Sequence, residues 1–199
     1  MPLLEKIVEH INTTIKSSLS TAVLQKNLLL GIADKCLDDT PEENGAVAIR
    51  PFVIDNNGDG KAVEYNNGQN ITAYHRILSN LYADDPQMNH GGVTSKICST
   101  EMILVVSADK KKVKQSAIEL EALIESVFPQ SVTRSLMQQV KLYKCNITLL
   151  GSSFDQLQVF AGEYSNVPFF IKPQQAYFSI RYRIQSSFRP GCFQDCCNE

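Results

Sequence analysis

Glu101-Met-Ile-Leu-Val-Val-Ser107, followed through Ala108-Asp109 and Lys110-Lys-Lys-Val-Lys114 into an amphipathic run ending at Phe128, decides the fold. Its first seven residues are mostly apolar and rich in branched side chains, the composition of a buried strand. Beyond the lysines, Val113, Ala117, Leu120, Ile124, Val127 and Phe128 recur at spacings of four, three, four, three and one. Those intervals place all six on one stripe of a helix, which therefore lies on a sheet. Asp109 is positioned to cap the helix start. Phe128-Pro129 stops it, because a residue before proline is pushed out of helical conformation. The unit carries architecture and no chemistry: it holds no nucleophile beside a base, no phosphate loop and no metal-ligand set.

Outward from this unit, residues 2–19 read as a helix. Leu4, Ile7, Val8, Ile11, Ile15 and Leu19 fall on one face, opposite Glu5, Lys6, Glu9 and Lys16. Residues 23–37 read as a second, shorter piece, helical or extended. Residues 46–54 predict a strand whose Pro51 confines it to an edge or a bulge. The turn-rich Asp55-Asn-Asn-Gly-Asp-Gly60 leads into a return strand over 61–65, and a further strand spans 71–78. Residues 83–100 read as a long loop or flap. A short helix over 130–139 and a strand within 140–150 follow. Residues 176–184 form the clearest strand. Ala176, Phe178, Ile180, Tyr182 and Ile184 make its apolar face, and Tyr177, Ser179, Arg181 and Arg183 its polar one. Helices do not alternate regularly with strands. The order predicts an α+β fold: a mostly antiparallel or mixed sheet, an N-terminal helix, and one long amphipathic helix packed on one face. The expected organisation is a single domain over 1–199, with an excursion over about 52–100 and an irregular tail over 186–199.

With 199 residues, 43% hydrophobic and 20% charged, the chain has globular proportions and enough apolar material for its own core. A formal net charge of −2 gives no global basic footprint for nucleic acid. The first residues carry no basic and apolar leader pattern, and the run Leu28-Leu-Leu-Gly-Ile-Ala33 is too short to span a bilayer, so the chain reads as intracellular at synthesis, with no membrane partner. Of six cysteines, Cys36, Cys98 and Cys145 stand singly and fit small buried hydrophobes. Cys192, Cys196 and Cys197 crowd the C-terminus without the matched pair a zinc site needs.

Four features invite a chemical reading, each against a plainer one. Asp55-x-Asn57-x-Asp59-Gly60 matches the first half of a calcium loop, where alternating oxygens converge on the ion. Its twelfth position is Asn66, which lacks the bidentate carboxylate, and its flanks read as strands; a hairpin turn is the plainer reading. His90, in the Asn89-His90-Gly91-Gly92 loop, could meet Cys98 in a small cytosolic enzyme, but no third orienting group is visible. His75 sits inside a strand and reads as a satisfied core residue. Lys110, Lys111 and Lys112 most plainly read as a solvated face; their place at a helix start, the end of the dipole that disfavours cations, keeps an acidic partner or nucleic acid in view. Arg181 and Arg183 share a strand face; solvent exposure is the plainer reading, and a subunit contact the functional one.

This layout resembles the tail-terminator and head–tail connector (neck ring) proteins of tailed bacteriophages. The likeness rests on element order: a first helix over 3–19, a strand and hairpin over 46–65, a strand over 102–106 running into a helix over 113–128, and closing antiparallel strands. It implies a non-enzymatic structural subunit of the virion, made in the host cytoplasm. Such a subunit assembles into a homo-oligomeric ring beside other neck, tail and portal proteins, and DNA passes through the lumen without sequence-specific binding. It implies no cofactor, no metal and no catalytic residue, and leaves Lys110, Lys111, Lys112, Arg181 and Arg183 as candidate contacts. The long excursion and the cysteine-rich tail depart from a compact member. The alternatives are a calcium- or ligand-binding module on Asp55, Asn57 and Asp59, and the small enzyme with His90 and Cys98.

Overall fold

A computed structural model describes residues 2–19, 27–38, 48–54, 60–63, 69–85, 95–155, 159 and 175–189. Its elements run α1 (Pro2–Ser18), β1 (Asn27–Asp38), β2 (Ala48–Ile54), β3 (Gly60–Ala62), β4 (Ile71–Asp84), β5 (Lys96–Asp109), α2 (Ala117–Val127), α3 (Arg134–Gln139), β6 (Lys144–Ser153) and β7 (Gln175–Phe188). The fold is α+β. Among the described residues seven strands form one sheet in the order β3-β2-β1-β4-β5-β7-β6. The β1–β4 pair is parallel and the other pairs are antiparallel, so the sheet is mixed.

The strand–helix unit is as its sequence predicts, apart from its cap. Met102, Leu104, Val106 and Ala108 point from β5 to one face, where they meet Val113, Leu120, Ile124 and Phe128 of the helical stripe. Leu4, Ile7, Val8, Ile11 and Ile15 of α1 bury into the same core. The helix itself begins at Ala117 instead of 113, and its cap is Ser116 instead of Asp109. Ser116 Oγ accepts from the Glu119 N–H, and the Glu119 carboxylate accepts from the Ser116 N–H at 2.8 Å, a reciprocal capping box. Asp109 turns the chain instead: its Oδ1 accepts the Lys111 N–H at 2.9 Å and its carbonyl accepts those of Lys112 and Val113.

A smaller second core lies on the opposite face. Ile103 and Val105 of β5 pack there with Tyr74, Ala33, Val53, Val63 and Val159. Alternate residues of β5 thus serve two cores, which explains why the run 102–108 is buried throughout.

Four expectations change. Residues 27–38 are strand, settling the helical-or-extended choice. The loop expected over 83–100 gives way to strand at both ends, since β4 continues to Asp84 and β5 begins at Lys96. Pairing decides this against polar composition: Lys96–Glu101 bond to β4 on one side and β7 on the other. For the same reason Ser186 and Ser187, expected in the tail, continue β7 between two neighbours, and Phe188 pairs with Lys96 of β5. Finally, Pro51 sits inside a sheet, not at its edge; its carbonyl accepts the Val63 N–H, and the short β3 pairs only with Phe52–Ile54.

Candidate interaction surface

β1 pairs with β4 only from Asn27↔Ile71 to Ile32↔His75, then continues alongside β2. Past His75, no strand among the described residues lies on that side of β4. The burial of β4 changes at the same point: Ile71–Arg76 are buried and Leu78–Asp84 exposed. Leu78, Leu81 and Tyr82 are 42%, 69% and 62% exposed. A bulge between Ile77 and Ser79 shifts the register against β5. Residues 77–83 carry no charge; charge returns at Asp84, which is ion-paired with Lys96. An open strand edge with apolar side chains is a template for pairing with another chain, which monomers usually guard with charge or a bulge. Among the described residues only the bulge guards this one.

The far edge of the sheet is β6. Near its start it is covered: Ser131 bridges to Asn146, and the Ile147 N–H donates to the Gln130 carbonyl at 2.8 Å. Beside this cover an open groove of about 490 Å³ runs between the end of α2 and β6, lined by Glu125, Phe128, Pro129, Ile147 and Leu149 among others. Leu149 and Leu150, at the second bulge, are 36% and 40% exposed. Burial and the nearby Glu121 carboxylate push the Glu125 carboxyl above its ordinary value.

The charged candidates fall into two separate places. Lys110, Lys111 and Lys112 form an exposed turn at the end of β5. Lys112 Nζ is 3.5 Å from Asp109 Oδ2, so Asp109 both shapes the turn and offsets part of its charge. Arg181 and Arg183 stand on the sheet face away from the helices, and both are held by Glu101: Arg181 Nη2 donates to Oε2 at 2.6 Å and Arg183 Nη2 to Oε1 at 2.5 Å. These bonds, Arg183 foremost, hold the Glu101 carboxyl below its ordinary value. The arginines are thus partly neutralised within the chain and keep a net cationic, half-exposed face.

His75 is fully buried, as expected of a core residue, and its partners are now visible. Asn12 of α1 donates from Nδ2 to the Leu30 carbonyl at 2.9 Å, so its Oδ1 accepts from His75 Nε2 at 2.9 Å. Nδ1 is then the acceptor, and the Tyr182 hydroxyl donates to it at 2.6 Å. Burial lowers the His75 pKa to about 3 and holds that of Tyr182 well above its ordinary value, so both stay neutral. Phe128 tilts onto the Tyr182 ring at 5.1 Å.

Cys98 lies buried in β5, 3.5 Å from Thr100 Oγ1; Cys145 is buried in β6, where desolvation pushes its thiol up to about 11. That keeps Cys145 a thiol rather than a nucleophile. His90, Asp55, Asn57 and Asp59, as well as Cys192, Cys196 and Cys197, lie outside the described residues. Among the described residues no group of three His, Cys, Asp or Glu converges to hold a metal ion. No helix among them is long and apolar enough to cross a membrane.

The β4 edge is the feature that sequence reasoning missed. Its one signal was the adjacent pair Ile77-Leu78 and then Leu81-Tyr82, where strand alternation breaks. No protein-family model matches the chain, and no curated protein does either.

Proposed function

We propose that the chain is a non-enzymatic structural subunit of a tailed-phage virion, forming a ring at the head–tail junction or tail around a DNA channel. The observation that carries the reading is the open outer edge of β4, with Leu78, Leu81 and Tyr82 exposed along it. Such an edge favours association over life as a monomer. Exposed leucines on the far edge at β6 add a second surface, so contacts lie on two sides of one sheet. In a closed ring every contact is heterologous, one face meeting a different face of the next copy, and two opposed surfaces suit that symmetry. The α+β arrangement, with helices on one face, is compatible with the resemblance. Function then rests on interface complementarity, and the lysine turn at 110–112 is available to partners or to passing phosphates.

Negative-stain microscopy and light scattering of the purified chain test this: closed rings are expected. A strict monomer at the highest concentration the protein tolerates sinks the reading. Portal, terminase or tail genes beside its own gene would support it independently.

A further inference from the structure

The two faces of the sheet are covered unequally. On one, α1 and α2 pack over Met102, Leu104, Tyr182 and Ile184. The residues between these point the other way, where the small core of Tyr74, Ile103 and Val105 covers only part of the face. Beyond it Leu81 is 69% exposed, and the Arg181 and Arg183 side chains are 56% and 45% exposed. Leu81 belongs to this face because it pairs with Ser99, two places from Glu101. Lys144 belongs to it too, opposite Ser187 and next to the inward-facing Cys145. Among the described residues the open patch holds three exposed cations and one carboxylate, Glu101. Each guanidinium donates to Glu101 through Nη2, which leaves its other N–H groups for a partner. A sheet face of this kind is normally covered by a second layer.

A matching layer lies on the opposite side of the molecule. α2 carries Glu119, Glu121 and Glu125 and no basic residue. Glu119 is engaged in the capping box, whereas Glu121 and Glu125 make no ion pair among the described residues. These two stand four residues apart, like charges on neighbouring turns; burial and the Glu121 carboxylate both raise the Glu125 carboxyl. Leu120 and Ile124 face inward, so Ile118, Glu121, Ala122 and Glu125 form an outer stripe, with Ile118 67% exposed. Ile118 and Glu125 lie seven residues apart, roughly 10.5 Å along the helix axis. Leu81 and Arg183 lie two strands across and two residues along, roughly 12 Å at the usual spacings. An isoleucine seated at Leu81 therefore brings Glu125 within reach of Arg183. Two such sheet faces brought together would set cation against cation, and two such helices carboxylate against carboxylate. Only helix on sheet face joins opposite charges.

We infer that the outer stripe of α2 of one copy, Ile118 with Glu121 and Glu125, seats on the open sheet face of the next copy, Leu81 with Arg181 and Arg183. This rests on the ring reading above and names its contact, which is heterologous: the helix side of one copy meets the bare sheet side of the next. Leu81 adjoins the open β4 edge, and the end of α2 adjoins the groove beside β6, so each side continues a surface already described. Glu101 is a positioning residue, holding side by side two arginines that otherwise repel.

The test exchanges the charges. A helix variant carries Glu121→Lys with Glu125→Lys, and a sheet variant carries Arg181→Glu with Arg183→Glu; both are checked for folding by far-UV circular dichroism. Sedimentation velocity should show the ring population of each alone fall by about tenfold or more, because each sets like charges together. An equal mixture of the two should recover assembly: the lysines of one meet the glutamates of the other, and the remaining unaltered faces pair as in the wild type. If the sheet variant does not fold, Leu81→Asp at its exposed position takes its place and should likewise stop assembly. Rings that persist in both charge-reversed variants overturn this contact while leaving the ring reading standing. Failure of the mixture to assemble also overturns it. So does a sheet variant that keeps its rings and loses only its retention of a short DNA duplex, which would assign the face to phosphates. A wild-type chain that stays monomeric refutes the ring reading and this contact with it.

Discussion

His75 shows how much a single residue can bind together in this chain. Its ring accepts from Tyr182 of β7 and donates to Asn12 of α1, which in turn holds the β1 carbonyl of Leu30. Four elements meet through one neutral imidazole. With a folded pKa of about 3 and an ordinary value of 6.5, the neutral form is favoured by folding. The sign follows: the stabilisation is complete above the unfolded value and is lost as pH falls from there toward the folded one. In that window His75 alone should cost up to ~1.4 kcal/mol of stability per pH unit. Urea denaturation between pH 7 and 4 checks this, and His75→Gln should flatten the acid limb; an unchanged slope would contradict it. Tyr182→Phe removes the donor and leaves Nδ1 buried without one, at a cost of about 1–3 kcal/mol by the same measurement. Glu101 with Arg181 and Arg183 is a different case, because the arginines are half-exposed and such pairs contribute little to stability.

At the scale of elements, packing outweighs local signals. The five buried aliphatic residues of α1 each contribute roughly 1.5–3 kcal/mol, more than any cap. Its helical stripe was therefore readable from sequence, as was that of α2. The start of α2 was not, because Asp109 and Ser116 are both good caps and only the tertiary position of Val113 separates turn from helix. α3 ends in a strained way that suggests a direct test. Lys141 is left-handed at φ 56, the Lys141 N–H reaches the Gln138 carbonyl at 3.2 Å, and the Leu142 N–H reaches that of Met137 at 2.8 Å. This is the Schellman closure that normally uses glycine. Lys141→Gly should therefore raise stability by about 1 kcal/mol, read as an increase in melting temperature. A decrease would mean that the lysine side chain contributes more than the backbone strain costs.

At the scale of the whole molecule, the sheet places what the sequence left scattered. Period-two and helical patterns determine which residues face a core, because burial acts on every side chain of a strand or helix in turn. From the sequence by itself came the α+β class, the two amphipathic helices, the central strand 102–106, the strand 176–184 and the core role of His75. Pairing partners are non-local and leave little trace in local composition. Only the tertiary structure extended β4, β5 and β7 through polar residues such as Ser99, Thr100 and Ser186, since hydrogen bonds from both neighbours outweigh weak strand propensity. Only it tied Arg181 and Arg183 to Glu101. Above all, the sequence could not reveal that β1 leaves β4 at His75. An edge exists only where a neighbour ends, so the open surface of Leu78, Leu81 and Tyr82 is a property of the assembled sheet and of no residue in it.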